Sequence, residues 1–330
     1  MAQGNNLLFS LNKNKTTVGL TGLDFGPHGI VAAHITRRPE RRGLATRPGA
    51  HERPPVLDYC EYYPYAGCDD VQTLLKNISR NHNLKHARCT TALEQQGYKL
   101  LLTDAPAVND DELRSAMRWK IKDLVNIPED NLTLDTIRIP QPENSSAPAQ
   151  VYVVAAKNDV VQKAVSQITS AGINLQIIDI VELAQRNIAT LLADDAHGVA
   201  LLRINKHDGI LTITRGGELY LCRHLSVSGE FLLDTTTRDE AIASMLLEIQ
   251  RTLDFYQSHF RMPAIKHLAV APLPEQMPDL LEQIRSSLGV SAELLDLGTL
   301  IECRQPLPLA EQHRYFTAIG AALRKGSVTA

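Results

Sequence analysis

The stretch that most limits what this chain can become is Val18–Ile35, VGLTGLDFGPHGIVAAHI, two apolar runs around a tight turn of Gly, Pro and His. Such runs, too short for a helix and interrupted by turn residues, predict a β-hairpin with Asp24 and Gly26 at its tip. Glycine there permits close backbone approach, and the neighbouring acid supplies a charge. An Asp-X-Gly turn also closes many ordinary hairpins, so the turn alone leaves its role open.

Alternating elements follow. Val56–Tyr65 reads as a third strand. Asp69 or Asp70 caps a helix whose apolar face is Val71, Leu74, Leu75 and Ile78, at steps of three and four. Ala87–Leu93 and Lys99–Leu102 read as strands. Asn109–Leu124 is a helix with Asn109 or Asp110 as N-cap, acids in its first turn and a stripe of Leu113, Met117, Ile121 and Leu124. Arg114, Arg118 and Lys122 form its basic flank. Trp119, the only tryptophan, is expected by default to pack against a sheet. Leu132–Ile139 and Val151–Ala156 are strands. Asp159 caps a helix carrying Val161, Val165 and Ile168, which Gly172 stops. Leu175–Ile180 and Val181–Leu192 are strand and helix.

A second unit begins near Gly198. Strands Val199–Ile204, Ile210–Arg215 and Leu219–Leu225 precede the longest helix, Asp239–Phe260, and Gly216-Gly217 turns a hairpin. The helix stripe Ile242, Met245, Leu246, Ile249, Leu253, Tyr256 and Phe260 requires burial along its whole length. Leu268–Ala271, Pro278–Leu288, Leu294–Leu295 and Tyr315–Leu323 complete the alternation. Strand–helix alternation over 330 residues predicts an α/β protein of two domains.

A formal net charge of −3 and no recognised motif argue against nucleic acid as a partner. Local charge is another matter. Thr36–Pro55 holds six arginines, Arg37, Arg38, Arg41, Arg42, Arg47 and Arg53, with four prolines and two glycines, and reads as a mobile loop. It is either a solvated insertion or a basic patch for an anionic lipid surface. Five cysteines without a C-x-x-C pair fit a reducing compartment. With neither a signal-peptide pattern nor an apolar run of the ~20 residues that span a bilayer, a cytoplasmic protein is expected. No catalytic triad or zinc-spaced set is evident, and no metal is expected.

Three blocks carry a family resemblance. Asp111–Asn131, DELRSAMRWKIKDLVNIPEDN, and Val151–Asp179, VYVVAAKNDVVQKAVSQITSAGINLQIID, resemble segments of the PilM family of pilus-assembly proteins, as does Glu248–Tyr256, EIQRTLDFY. Within that family they resemble the MshI branch, from mannose-sensitive haemagglutinin (MSHA) pilus biogenesis. The resemblance implies an actin-like fold of the FtsA type: a first half from 1–87 and 173–197, an inserted small α+β domain at 88–172, and a second half at 198–330. It also implies a cytoplasmic scaffold peripheral to the inner membrane, bound to the cytoplasmic tail of a PilN-like inner-membrane protein. Arg114, Arg118 and Trp119 are the candidate contacts for that tail.

Proteins of this fold hold nucleotide with three glycine-bearing loops, and here the loops depart from the pattern. The first, Asp24-Phe25-Gly26-Pro27-His28-Gly29, keeps acid and glycine but lacks hydroxyls, and Pro27 has no N–H to donate. The second is Arg203-Ile204-Asn205-Lys206-His207, with a cation where the family has a metal-side acid. The third, Ala271-Pro272-Leu273-Pro274-Glu275, has no glycine. Asp24, Gly26, Arg203, Asn205 and Ala271 therefore mark a vestigial nucleotide site, and a non-catalytic protein without cofactor is expected. The alternative is an ATPase with altered loops, in which Arg203 and Lys206 meet ATP phosphates.

Overall fold

The computed structural model describes residues 19–37, 54–67, 70–141, 148–277 and 279–325. In chain order, β1 (Gly19–Gly26), β2 (Gly29–Thr36) and β3 (Val56–Pro64) are followed by α1 (Val71–Asn81) and β4 (Cys89–Leu93). Next come β5 (Tyr98–Asp104), α2 (Asp110–Val125), β6 (Leu132–Arg138), β7 (Gln150–Lys157) and α3 (Asn158–Thr169). β8 (Leu175–Ile180) and α4 (Val181–Ala189) lead to β9 (Val199–Ile204), β10 (Gly209–Arg215) and β11 (Glu218–Leu225). The remainder is α5 (Gly229–Leu233), α6 (Arg238–Phe260), β12 (His267–Val270), α7 (Leu280–Leu288), β13 (Ser291–Leu294), α8 (Leu297–Leu300), β14 (Glu302–Cys303) and α9 (Leu309–Ala322).

The predicted opening hairpin forms, Gly19 facing Thr36 and Gly26 facing Gly29. It seeds a sheet ordered β14-β3-β2-β1-β4-β8, and a second sheet is ordered β11-β10-β9-β12-β13. Apart from the short β14, the two repeat one topology. Three strands meander antiparallel, and two more add in parallel beside the first. A small antiparallel sheet, β5-β7-β6, is inserted between β4 and β8. Gly216 and Gly217 turn β10 into β11 with φ of 58° and 84°, a pair of left-handed residues as a tight hairpin turn requires.

Helix α4 joins the halves and is buried at every residue except Arg186. Its Gln185 side-chain N–H donates to the Leu201 carbonyl at 2.7 Å and to Thr212 Oγ1 at 3.1 Å, across to the second sheet. On its other side α4 meets α9. A Cβ on Gly320 would lie 2.4 Å from the Ala184 carbonyl oxygen, so only glycine permits this crossing. Likewise a Cβ on Gly22 of β1 would meet the Ala318 carbonyl oxygen at 2.1 Å. Helix α9 is thus seated on the first sheet.

Two expected boundaries are corrected. Cys89–Leu93, expected in the inserted segment, is β4 of the first large sheet, paired with β1 and β8. Residues 302–303 and 309–322, expected in the second half, join the first as β14 and α9. The stripe of α2 also differs. Val125 is buried and Leu124 is 60% exposed, because the helix runs one residue further and the fourth contact falls at i+4 from Ile121. Among the described residues no helix is long and apolar enough to cross a membrane. Cys60, Cys89, Cys222 and Cys303 are free thiols, and Cys68 lies outside the described residues.

Candidate functional site

The three loops converge. Arg203 leaves β9 close enough to Asp24, at the end of β1, to act on its charge. Ala271 N–H donates to the Leu202 carbonyl at 2.7 Å, fixing the third loop beside β9. Several of their polar groups already have partners within the chain, whereas the buried Arg203 Nε has none. Arg203 Nη1 donates to Thr317 Oγ1 at 3.2 Å, and its guanidinium carbon lies 5.8 Å from the centre of the Phe316 ring. Both partners are on α9, so this second-half cation is bonded to an element of the first half. Asn205 Nδ2 donates to Asp208 Oδ1 at 2.7 Å. The Asn205 and Lys206 carbonyls accept from the N–H groups of Gly229 and Glu230, at 2.8 and 3.0 Å. A Cβ at Gly229 would stand 2.8 Å from Asn205 O, which makes this glycine the condition for so close a seat. In the first loop, the His28 carbonyl accepts from Tyr65 N–H at 2.9 Å and from Tyr62 Oη at 2.8 Å. Glu94, Tyr65 and Gly229 were not predicted, because the topology alone brings them to these loops.

A carboxylate that helps place a metal must be ionised. Burial raises Asp24 to about 6; Arg203 offsets part of that and Glu94 adds to it. The folded pKa lies above the unfolded 3.8, so the folded state holds the extra proton between these values, and stability falls as pH rises through that window. Asp24→Asn is therefore expected to raise stability by about 1–3 kcal/mol at pH 7 and to change it little below pH 4. Denaturant titrations at pH 4 and pH 7.5 check this; equal effects at both pH values would show that the charge of Asp24 is not the cause.

The candidate tail contacts on α2 separate. Arg114 Nη2 bonds Asp135 Oδ1 at 3.0 Å, and Asp135 is buried on β6. Burial lifts the Asp135 carboxyl to about 6, and Arg114 is the largest influence holding it down. Arg118 Nη1 donates to the Glu129 carbonyl at 3.2 Å. Trp119, for which packing against the sheet was the default expectation, is instead 66% exposed, with Lys122 Nζ 5.4 Å from its ring centre. It points away because Met117 and Ile121, on the opposite face, hold the sheet contacts. At the start of α2 lies a cleft of about 600 Å³ lined by Ala105, Pro106, Val108, Asn109, Glu112 and Arg138 among others.

Of the arginine loop, Arg37 is described, and its Nη2 donates to the Leu323 carbonyl. This places it against the end of α9, where a loop at the solvent surface had been expected. Arg38, Arg41, Arg42, Arg47 and Arg53 lie outside the described residues.

Two large sheets of one topology, with a small sheet inserted in the first and three loops meeting between them, define an actin-like α/β protein. The family model for the type IV pilus assembly protein PilM matches residues 22–239, and the chain belongs to that family. Among solved structures it is similar to a chain of a PilM–PilN type IV pilus biogenesis complex. That match has 17% identity and a TM-score of 0.68, over 92% of this chain and 97% of that one. The cytoplasmic domain of EpsL, an inner-membrane component of the type II secretion system of Vibrio cholerae, matches at 9% identity and a TM-score of 0.48, over 93% and 96%. The ethanolamine utilization protein EutJ from Carboxydothermus hydrogenoformans matches at 11% and 0.42, over 96% and 92%. No curated protein matches the sequence.

Proposed function

We propose that this type IV pilus assembly protein is a non-catalytic scaffold of an MSHA-type machine, lying in the cytoplasm against the inner membrane. There it holds the cytoplasmic tail of a PilN-like membrane protein. The observation that carries the proposal is that the chain's own bonds occupy much of the second nucleotide loop. Arg203 is bonded to α9, Asn205 to Asp208, and the second-loop carbonyls to α5. A phosphate would have to displace these contacts, and Pro27 and Pro272 offer it no N–H.

The partner is suggested by the solved PilM–PilN complex, and the place by α2. Glu112 and Trp119 are seven residues apart, two turns, and so share one face of the helix. Along that face the distance from the cleft to the indole is about 10 Å, the reach of three or four extended residues. A short tail with one apolar side chain in the cleft and another against the indole fits that span.

Mg-ATP at millimolar concentration is expected to leave the melting temperature unchanged. A site occupied at ~100 times its Kd would add about 2.7 kcal/mol. A rise of that size, or phosphate release above a protein-free control, would favour the ATPase alternative over the scaffold.

A further inference from the structure

Where the small sheet, α4 and β11 meet, three side chains that play no part in the nucleotide loops or the α2 face converge. We propose that Glu182, Cys222 and His224 form a binding site for a divalent cation of the zinc class. One carboxylate oxygen, one thiol and one imidazole nitrogen lie within 4.8 Å of one another. Two metal–ligand bonds of about 2.0–2.3 Å at a tetrahedral angle hold their donor atoms roughly 3.3–3.7 Å apart, so about 1 Å of side-chain movement closes the set.

The local structure supplies each donor for a reason. Cys222 and His224 are two apart on a strand, so both side chains leave the same face. The strand is the edge of its sheet. The outward Cys222 N–H is not left to solvent but donates to Tyr152 Oη of the small sheet at 2.8 Å, fixing the register of Cys222 against it. Glu182, in the first turn of α4, is fully buried. Its Oε2 accepts from Tyr98 Oη at 2.6 Å, and its Oε1 lies 2.9 Å from His224 Nε2. A cation placed between Oε1 and Nε2 takes the position of the proton they share. The Tyr98 bond to the other oxygen remains, as metal-bound carboxylates commonly keep an outer donor. The far nitrogen of His224, Nδ1, meets the Gln95 amide. With the amide oxygen turned toward it, that group accepts from Nδ1–H and leaves Nε2 free to ligate.

The charges also balance. Glu182 as carboxylate, Cys222 as thiolate and neutral His224 neutralise a divalent ion, and the thiol proton passes to solvent on binding. The thiolate and imidazole select zinc over magnesium or calcium, which take oxygen donors. His224 is 37% exposed, which leaves a fourth position open to water. The bound ion would fasten the small sheet and α4 to β11, independently of whether the chain acts as a scaffold.

The test uses the full chain, stripped with chelator and titrated with Co²⁺ alone. One equivalent is expected to give a thiolate-to-cobalt charge-transfer band and the intense visible bands of a tetrahedral ion, with Zn²⁺ abolishing both. Cys222→Ser is expected to remove the charge-transfer band while Cys303→Ser retains it. His224→Gln, at an exposed position, is expected to weaken Co²⁺ binding by at least about tenfold. The absence of a charge-transfer band in the unmodified protein, its survival in Cys222→Ser, or undiminished affinity in His224→Gln would each overturn the site. Should Cys222→Ser fail to fold, His224→Gln decides.

Discussion

Replacing Arg324 by alanine is expected to destabilise the protein by about 3–5 kcal/mol, among the largest effects open to a single substitution here. Arg324 Nη1 lies 2.5 Å from Asp179 Oδ2, and the side chains are 4% and 0% exposed. Asp179 is the penultimate residue of β8, and its other oxygen accepts from Ile180 N–H at 2.9 Å. Truncating the arginine leaves a carboxylate with no access to water and with its main cation gone. Arg186 is near enough to be influenced by Asp179 but donates to the Gly217 carbonyl. For a chain of this size the loss corresponds to a fall in melting temperature of roughly 4–7 °C. Because the penalty arises from the stranded charge, Asp179→Asn added to the Arg324→Ala variant is expected to restore part of the stability. A loss below about 1 kcal/mol in the single variant would mean that water reaches the pair.

Trp119→Ala is expected to weaken binding of a PilN-like tail peptide by about 30-fold or more, the effect of removing an interface anchor worth about 2 kcal/mol. Stability should hold within about 0.5 kcal/mol, because the ring is exposed and makes no core contact. This separation is what the basic flank cannot offer. Arg114→Glu would set a second acid beside the buried Asp135 and damage the small domain together with any binding. As the chain holds a single tryptophan, its fluorescence reports on this face alone. A wild-type titration should shift the emission, and a labelled peptide compares the two proteins. Equal affinities would remove α2 from the groove, and no binding of any such tail to wild type would remove the scaffold proposal.

Periodic elements were the legible ones. The stripe of α6 predicted a helix from Asp239, and it starts at Arg238 with Ile242, Met245, Ile249, Leu253, Tyr256 and Phe260 buried as expected and Leu246 only half-buried. The opening hairpin was plain from its two apolar runs around a turn, and the Gly216-Gly217 turn from a left-handed backbone that few other residues adopt. Sheet membership was not legible. β4 and β5 are both short apolar strands, and nothing in either records which sheet it joins. β14 is two residues long and has no period to read. α9 begins six residues before the predicted Tyr315, because its first turns are polar and partly exposed.

The candidate site divides along the same line. That Arg203 stands where an acid is usual, and that the third loop lacks glycine, could be read from residue types. That Arg203 is held by Thr317 and Phe316, more than a hundred residues away, required the fold. The general tendency of tryptophan toward burial fails at Trp119, because the buried stripe of its helix is complete without it.

The seating of α9 bears on how the chain is made. Arg37, just past β2, bonds a carbonyl 286 residues downstream, and Gly22 in β1 is shaped to receive Ala318. The first strands to leave the ribosome therefore present a face whose cover is translated last among the described elements. The first half cannot mature as an autonomous unit while the second is being synthesised. Its exposed apolar sheet must be shielded until α9 arrives, and acquisition of the native state waits on this late closure rather than proceeding domain by domain from the N-terminus.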